Sequence, residues 1–410
     1  MPAFQFFARP GHPTFLDLPW DEPLEDWEHP RLVQVVRSIS RHVVRFVDYD
    51  GRLYALKELP RRYAEREYRL LRRLEDEEMP VVEVVGVVTA RGGDLDAVLI
   101  TLHLEYSIPY RALFSDGAPP ELRATLMRAL SELLVRLHLA GFFWGDCSLS
   151  NALFRRDAGA LSAYLVDAET GELHPALTDG QREHDIMLAE ENVAGELLDV
   201  AGETGETLGD VDPFAIALEL RNRYQELWDE LTREEVFRAD ESYRIEERLG
   251  RLNELGFDVE EIELDAVPDG YRMKLNPHLV EPGHHRRRLA LLTGLNAQEN
   301  QARRMLNDLS AYRALLEARE GKPVPESVAA YRWRAEVFEP AVSAVPQELR
   351  GKRQAAELFH EILQHRWYMS EQQSTDAGLM AAVRSYIHDI LRNTPDERVR
   401  VEGTDYSSSS

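Results

Sequence analysis

The chain has very few cysteines and lysines, and both shortages limit its chemistry. Its one cysteine, Cys147, excludes an internal disulfide and fits a reducing compartment. Of 48 basic residues, 44 are arginine and four are lysine. Lys57 is the only lysine among the first 273 residues, so this position keeps a compact ammonium where the chain otherwise uses planar guanidinium groups. That preference indicates phosphate chemistry.

Long hydrophobic runs are also missing from the sequence. No run reaches the ~18 apolar residues of a membrane-spanning helix. The first residues lack the cationic region and long apolar segment of a secretory signal. A formal charge of −25 argues against nucleic acid or an anionic membrane as the main partner. We therefore expect a cytoplasmic protein.

Hydrophobic periodicity divides the chain into regions of different character. A lead-in rich in Pro, Asp, Glu and aromatic residues precedes a small antiparallel sheet with one helix, and a helical lobe follows, which together predict an α+β arrangement. Ala201–Pro213 is the best candidate linker. The predicted regions are an irregular lead-in (1–30), a two-lobed domain (31–205, with lobes of about 31–105 and 106–205), a mostly helical domain (206–400) and a disordered tail (401–410).

Individual elements follow from the same patterns. Asp50 and Gly51 predict a hairpin turn between two strands, and Gly141 predicts the end of a helix. The predicted strands are Leu32–Val36, His42–Tyr49, Arg52–Leu59, Val81–Thr89 and Ala97–Leu104, and the early helices are Tyr63–Glu75 and Leu122–Leu139. Later helical patterns cover Phe214–Phe237, Ser242–Leu255, Arg286–Gly294, Ala297–Glu320 and Ala355–Ser370, interrupted by a hairpin within Asp258–Leu275.

Two short strings in the middle of the chain carry the chemistry. Residues 144–151 read Trp-Gly-Asp-Cys-Ser-Leu-Ser-Asn, and residues 164–169 read Tyr-Leu-Val-Asp-Ala-Glu. In phosphoryl transfer, an aspartate accepts the proton of the attacking hydroxyl, an asparagine and a second aspartate bind Mg²⁺, and a lysine holds nucleotide phosphates. Asp146, Asn151 and Asp167 occur in this order, so their spacing indicates phosphoryl transfer.

These motifs carry a family resemblance. With Ala55-Leu56-Lys57, they make residues of about 32–200 resemble the protein-kinase-like fold, and more narrowly its bacterial lipopolysaccharide-kinase and aminoglycoside-phosphotransferase branches. The resemblance implies a two-lobed domain that uses ATP and Mg²⁺. By this resemblance the catalytic residues are Asp146, Lys57 and Glu67 (with Glu65 as its alternate), the nucleotide-binding residues are Lys57, Ala55, Ser38, Ser40, Arg41 and Leu104, the Mg²⁺ ligands are Asn151 and Asp167, and Asp185 braces the catalytic loop.

The sequence departs from the family pattern in two places. The expected glycine-rich phosphate loop, residues 36–42, contains no glycine, so Ser38, Ser40 or Arg41 would have to assist backbone amides. Only 17 residues separate Asp167 from Asp185, which is short for a peptide-docking segment and favours a small acceptor.

The C-terminal half resembles an uncharacterised bacterial domain found behind lipopolysaccharide-kinase-like domains, and that resemblance implies no activity.

From the motifs of the first half we expect an ATP/Mg²⁺-dependent phosphotransferase acting on a small-molecule or carbohydrate-like hydroxyl. The alternative is a pseudokinase that senses nucleotide or binds a protein partner through the helical domain. Nucleic-acid binding through residues 286–307, which carry a basic cluster and a helix-turn-helix-like pattern, is a minor alternative.

Overall fold

The protein was analysed as a computed structural model, which describes residues 5–35, 41–114, 119–158, 160–204, 212–233, 235–237, 262–267, 270–275, 284–320, 322–373 and 377–395. The described residues form two units. The first contains those within Met1–Phe154 and Ala163–Leu227, and the second contains those within Arg155–Ser162 and Trp228–Arg398. The domain limits expected from the sequence stay a prediction.

A six-stranded antiparallel sheet forms the first part of the first unit. Its strands are β1 (Gln5–Ala8), β2 (Leu32–Val33), β3 (Val43–Tyr49), β4 (Arg52–Leu59), β5 (Val84–Thr89) and β6 (Ala97–Leu102), in the spatial order β1-β5-β6-β4-β3-β2. Asp50 and Gly51 join β3 to β4 with φ angles of 55° and 80°. Both turn residues are left-handed, as a two-residue hairpin requires, so the predicted hairpin is confirmed.

The N-terminal residues are more ordered than their composition predicts. The irregular lead-in expected over residues 1–30 contains β1, which pairs with β5 from Gln5 opposite Thr89 to Ala8 opposite Gly86. A Cβ atom on Gly86 would lie 2.4 Å from the Phe7 carbonyl oxygen, so the close approach of the two strands needs glycine here. Further along this segment, five buried apolar side chains join the core of the sheet: Phe15, Leu18, Trp20, Leu24 and Trp27.

Helices complete the first unit. They are α1 (Arg61–Asp76), α2 (Tyr110–Phe114), α3 (Pro120–Leu139), α4 (Asp179–Thr204) and α5 (Pro213–Thr232), of which the residues from Trp228 on count with the second unit. On α1 the buried residues Ala64, Glu67, Leu71 and Leu74 are three or four residues apart, so one face is covered. The linker prediction was wrong for Ala201–Thr204, which continue α4, while residues 205–211 lie outside the described part.

Two short strands enclose the segment that holds both sequence strings. β7 (Phe142–Phe143) pairs with β10 (Glu172–Leu173), and between them β8 (Ala152–Asp157) and β9 (Ala160–Leu165) form an antiparallel hairpin. Val81 forms only an isolated bridge with Leu165, so β5 begins three residues later than predicted.

The tip of the β8–β9 hairpin counts with the second unit. There the buried Asp157 carboxylate accepts hydrogen bonds from the backbone amides of Asn300 (3.1 Å) and Gln301 (2.8 Å) at the start of the helix Glu299–Glu320. Ala158 donates its amide to Glu357 at 2.9 Å. Asp157 therefore caps this helix and satisfies amides that have no partner within it.

The second unit is mostly helical among its described residues. Its helices are α6 (His284–Thr293), α7 (Glu299–Glu320), α8 (Glu326–Trp333), α9 (Glu339–Ser343), α10 (Ala355–Gln373) and α11 (Leu379–Asp389), and its other strands are β11 (Glu235–Phe237), β12 (Ile262–Val267) and β13 (Gly270–Leu275). Four aromatic residues of this unit lie in one buried core, namely Trp333, Phe338, Phe359 and Tyr386.

Across the described residues, no helix has both the length and the apolar character needed to cross a membrane. The cytoplasmic location stays a prediction.

The sequence was right about some elements of this unit and wrong about one. The expected hairpin within Asp258–Leu275 is confirmed by the pairing of β12 with β13, although residues 268 and 269 of its turn lie outside the described residues. The helix expected over Phe214–Phe237 instead ends at Thr232. The last three residues of the expected range, Glu235–Phe237, form β11, which pairs with β13. Here pairing with a distant strand overrides a local helical pattern. The predicted helix Ser242–Leu255 and the predicted tail 401–410 also lie outside the described residues.

Candidate active site

A cavity of about 570 Å³ lies in the first unit. Most of the site residues expected from the sequence line it, namely Arg41, Ala55, Lys57, Glu67, Leu104, Asp146, Asn151 and Asp167. Ser38 and Ser40 lie outside the described residues, and Asp185 does not line the cavity. The sheet, the segment after β7 and the segment after β9 thus contribute side chains to one volume.

Lys57 makes the most ionic contacts in the cavity. Its Nζ lies 3.0 Å from Glu67 Oε2, 2.6 Å from Asp167 Oδ2 and 3.4 Å from Glu169 Oε2. Burial alone would lower the pKa of Lys57, but the carboxylates of Glu67 and Asp167 outweigh it and raise the pKa, so the amine is charged. Glu65, the alternate partner, instead pairs with Arg61 at the surface, 2.6 Å away.

Glu67 is a buried carboxylate on α1. Burial raises its pKa, the nearby Asp167 carboxylate raises it further, and the Lys57 ammonium acts in the opposite direction. The Ala168 amide also donates to Glu67 Oε1, at 3.4 Å. Glu67 therefore holds both the ammonium and the backbone directly after Asp167.

Amide donors contact both oxygens of the Asp146 carboxylate. Asn151 Nδ2 lies 3.1 Å from Oδ2, and Asn192 Nδ2 lies 3.1 Å from Oδ1. Burial raises the pKa of Asp146 above the ordinary aspartate value, while the hydrogen bonds from the two asparagines lower it. The carboxylate is thus fixed in orientation by two neutral donors.

The backbone before Asp146 is held by Asp185 from α4. Asp185 accepts hydrogen bonds from the amides of Trp144 (2.7 Å) and Gly145 (2.8 Å). Gly145 has a φ angle of +75°, and a Cβ atom there would lie 3.0 Å from the Phe143 ring. A left-handed glycine followed by Asp146 is therefore the local conformation that Asp185 stabilises.

Sequence reasoning missed several residues that hold this site. Glu196 accepts hydrogen bonds from the amides of Leu149 (2.7 Å) and Ser150 (3.1 Å). Asp185, Asn192 and Glu196 are seven and four residues apart on one helix, and this spacing on a single helical face was readable in the sequence.

Glu169 is another residue that the sequence did not single out. Its Oε2 lies 2.7 Å from His42 Nε2, so it contacts the last residue of the glycine-free segment. The Trp144 indole donates to the Asp167 carbonyl oxygen at 3.0 Å. No local sequence pattern predicts these contacts, because the residues that make them are far apart in the sequence.

The carboxylates around Lys57 fit the chemistry of a divalent cation. Glu67, Asp167 and Glu169 each offer an oxygen, and these oxygens lie within 4.8 Å of one another. Carboxylate and amide oxygens are the ligands that Mg²⁺ takes in proteins. Asp167 and the amide of Asn151 in the same cavity are therefore suitable ligands.

Two parts of the chain match known protein families. Residues 50–191 match the Lipopolysaccharide kinase (Kdo/WaaP) family. Residues 226–391 match a Domain of unknown function (DUF4032). The family recognition made from the sequence is confirmed by both matches. No curated protein matches the chain.

Solved structures similar to the chain include the following two. One is described as WaaP in complex with acyl carrier protein, with 17% identity, coverage of 55% of this chain and 99% of that chain, and a TM-score of 0.36. The other is an aminoglycoside-3'-phosphotransferase of type VIII, with 17% identity, coverage of 49% and 88%, and a TM-score of 0.34.

The expected fold class is confirmed in its outline, because the first unit combines an antiparallel sheet with helices and the described residues of the second unit are mostly helical. The match of residues 50–191 supports a phosphotransferase. It also implies the use of a nucleotide in general.

Proposed function

We propose that the first unit is an ATP- and Mg²⁺-dependent phosphotransferase acting on a small-molecule or carbohydrate-like hydroxyl. The observation that carries this proposal is the contact between Lys57 and Asp167, 2.6 Å apart across 110 residues of sequence, in the cavity that Asp146 and Asn151 also line. A lysine, a proton acceptor and two metal-type ligands in one cavity are the parts that phosphoryl transfer needs.

Asp146 is the proposed proton acceptor. As the acceptor oxygen bonds to the γ-phosphorus, the hydroxyl proton moves to an Asp146 oxygen. The bond from the γ-phosphorus to the bridging oxygen breaks, and ADP leaves with that electron pair. Burial makes Asp146 a stronger base than an exposed aspartate, and the donors Asn151 and Asn192 hold it in position.

Lys57 is the proposed phosphate contact. Its ammonium is charged and is oriented by Glu67, so it would stabilise negative charge on the phosphates of the donor nucleotide. Asp167 and Asn151 would hold Mg²⁺, which when bound supplies neutralisation of phosphate charge. In the absence of nucleotide, the ion pair with Lys57 balances the negative charge of the Asp167 carboxylate.

The segment that would cover the nucleotide phosphates departs from the family pattern. The segment 36–42 has no glycine, and of its described residues Arg41 and His42 line the cavity. The proposal includes phosphate contacts from Ser38, Ser40 and Arg41, and nucleobase contacts from Ala55 and Leu104. The glycine-free segment favours the second candidate, a pseudokinase that senses nucleotide or acts as a scaffold through its helical unit.

A thermal-shift titration with ATP and Mg²⁺ separates the candidates. Nucleotide that binds only the folded protein stabilises it by about 2.7 kcal/mol at 100 times its dissociation constant. We expect a shift in the wild type, a much smaller one in Lys57→Met, and a full shift in the control Lys322→Met, whose side chain is 70% exposed. No shift at millimolar nucleotide would favour the scaffold, and a shift without any phosphate transfer would favour the sensor.

A further inference from the structure

A line of buried side chains connects α5 to the backbone beside Asp146. Tyr224 Oη lies 2.7 Å from His138 Nδ1, and His138 Nε2 lies 3.0 Å from Asp185 Oδ2. Asp185 in turn accepts the amides of Trp144 and Gly145. Tyr224 is 1% exposed and His138 is 2% exposed, so water does not compete for these bonds.

The direction of each hydrogen bond follows from the chemistry of the groups. The Asp185 carboxylate only accepts, so His138 Nε2 carries the hydrogen and donates. Burial lowers the pKa of His138 although Asp185 raises it, so the ring is neutral and its Nδ1 is an acceptor. Burial also raises the pKa of Tyr224, which therefore keeps its phenolic hydrogen and donates it to Nδ1.

We propose that Tyr224 is a positioning residue for residues 144–151, because its hydrogen bond to Nδ1 fixes the tautomer and orientation of the His138 imidazole, which contacts the Asp185 carboxylate. Tyr224 lies on α5, outside the residues 50–191 that match the kinase family. The functional limit of the catalytic unit thus extends at least to Tyr224 on α5. The effect on turnover rests on the proposed function, whereas the effect on the backbone of Trp144 and Gly145 does not.

The first test is hydrogen–deuterium exchange of the peptides that contain the Trp144 and Gly145 amides. Tyr224→Phe removes one hydroxyl and keeps the ring, so we expect these amides to exchange about 5- to 10-fold faster than in the wild type. His138→Leu should have a larger effect. His138→Gln, which keeps an amide donor for Asp185, should stay closer to the wild type than His138→Leu does.

Ser131→Ala is the matched control for this test. Ser131 lies on α3, seven residues before His138, and its hydroxyl lies 2.7 Å from the Met127 carbonyl oxygen of the same helix and 3.1 Å from the Leu220 carbonyl oxygen of α5. Leu220 is four residues before Tyr224. Ser131 connects the same two helices without contacting Asp185. We expect wild-type exchange at Trp144 and Gly145 in this variant. Unchanged exchange in Tyr224→Phe, or equal acceleration in Ser131→Ala, would overturn the proposal.

The second test measures turnover with ATP, Mg²⁺ and an acceptor that the wild type phosphorylates. We expect the kcat of Tyr224→Phe to fall about tenfold with KM for ATP within about twofold, because misplacement of Asp146 affects the reacting geometry and not nucleotide binding. Faster exchange with unchanged kcat would overturn the positioning role. If the wild type transfers no phosphate at all, the proposed function fails, and the exchange measurement still decides the structural claim.

Discussion

The Lys57 ammonium and the Asp167 carboxylate lie 2.6 Å apart, although one belongs to a strand of the sheet and the other follows β9. In the proposed reaction both groups would contact the nucleoside triphosphate and its cation, whereas in this structure they neutralise each other. Glu67 and Glu169 add two more carboxylates to the same ammonium. In the proposed function, nucleotide binding would exchange these internal ion pairs for contacts with phosphate and metal.

The amide of Asn192 should contribute to the pH dependence of the proposed reaction. The base form of Asp146 is present above its pKa and is lost as the pH falls through it, and burial places that pKa above the ordinary aspartate value. Because the Asn192 hydrogen bond lowers this pKa, Asn192→Ala should move the acidic limb of kcat/KM to higher pH. Asn192→Asp should move it further, since a like charge then faces Asp146. An unmoved limb in both variants would show that another group is the base.

Gly141 should be far less tolerant of a side chain than Gly51. Both are left-handed, with φ angles of +76° and +80°. A Cβ atom on Gly141 would lie 2.1 Å from the His174 carbonyl oxygen, whereas one on Gly51 meets nothing within 4 Å. We expect Gly141→Ala to lower the free energy of unfolding by more than about 2 kcal/mol and Gly51→Ala by about 1 kcal/mol. Urea titration measures both, and equal losses would contradict the close approach.

The Asp157 cap should stabilise the second unit. Asp157→Ala leaves the amides of Asn300 and Gln301 without their acceptor, and we expect a loss of about 2–3 kcal/mol in the free energy of unfolding. Ser162 also donates to Asp157, at 3.2 Å, and Ser162→Ala is the matched control with a loss below about 1 kcal/mol. A loss in Asp157→Ala no larger than that of the control would contradict the cap.

His360 should make the second unit sensitive to acid. Burial and the neighbouring Arg304 lower the pKa of His360 to about 4. The unfolded chain takes up a proton near pH ~6.5, so the stability from neutral His360 is complete above that pH and is lost as the pH falls towards about 4. His360→Gln does not titrate, so it should lose less stability than the wild type between pH 7 and pH 5 in urea titrations. An equal loss would exclude this histidine as a source.

Local sequence patterns predicted those elements that local physics determines. Asp50 and Gly51 specify a turn by their backbone preferences, and the period of two placed Ala55 and Lys57 on one face of β4, where both line the cavity. Gly141 ended α3 for the same local reason.

Contacts between distant residues were not predictable in this way. β1 is stabilised by β5, almost eighty residues later, and its composition alone suggests irregular structure. Nothing near Asp157 in the sequence indicates that it caps a helix 143 residues away. The roles of Asp146, Lys57, Asn151 and Asp167 in phosphoryl transfer stay predictions.

The most direct test of the proposed chemistry is transfer of labelled γ-phosphate from ATP, with Mg²⁺, to a panel of small and carbohydrate hydroxyl acceptors. We predict that the wild type transfers phosphate and that Asp146→Asn transfers it at least about 100-fold more slowly while it binds ATP within a few-fold of the wild type. Asn keeps the size and the hydrogen-bonding shape of the side chain but cannot accept the proton. Transfer by Asp146→Asn at the wild-type rate, or no transfer by the wild type to any acceptor, would contradict the account.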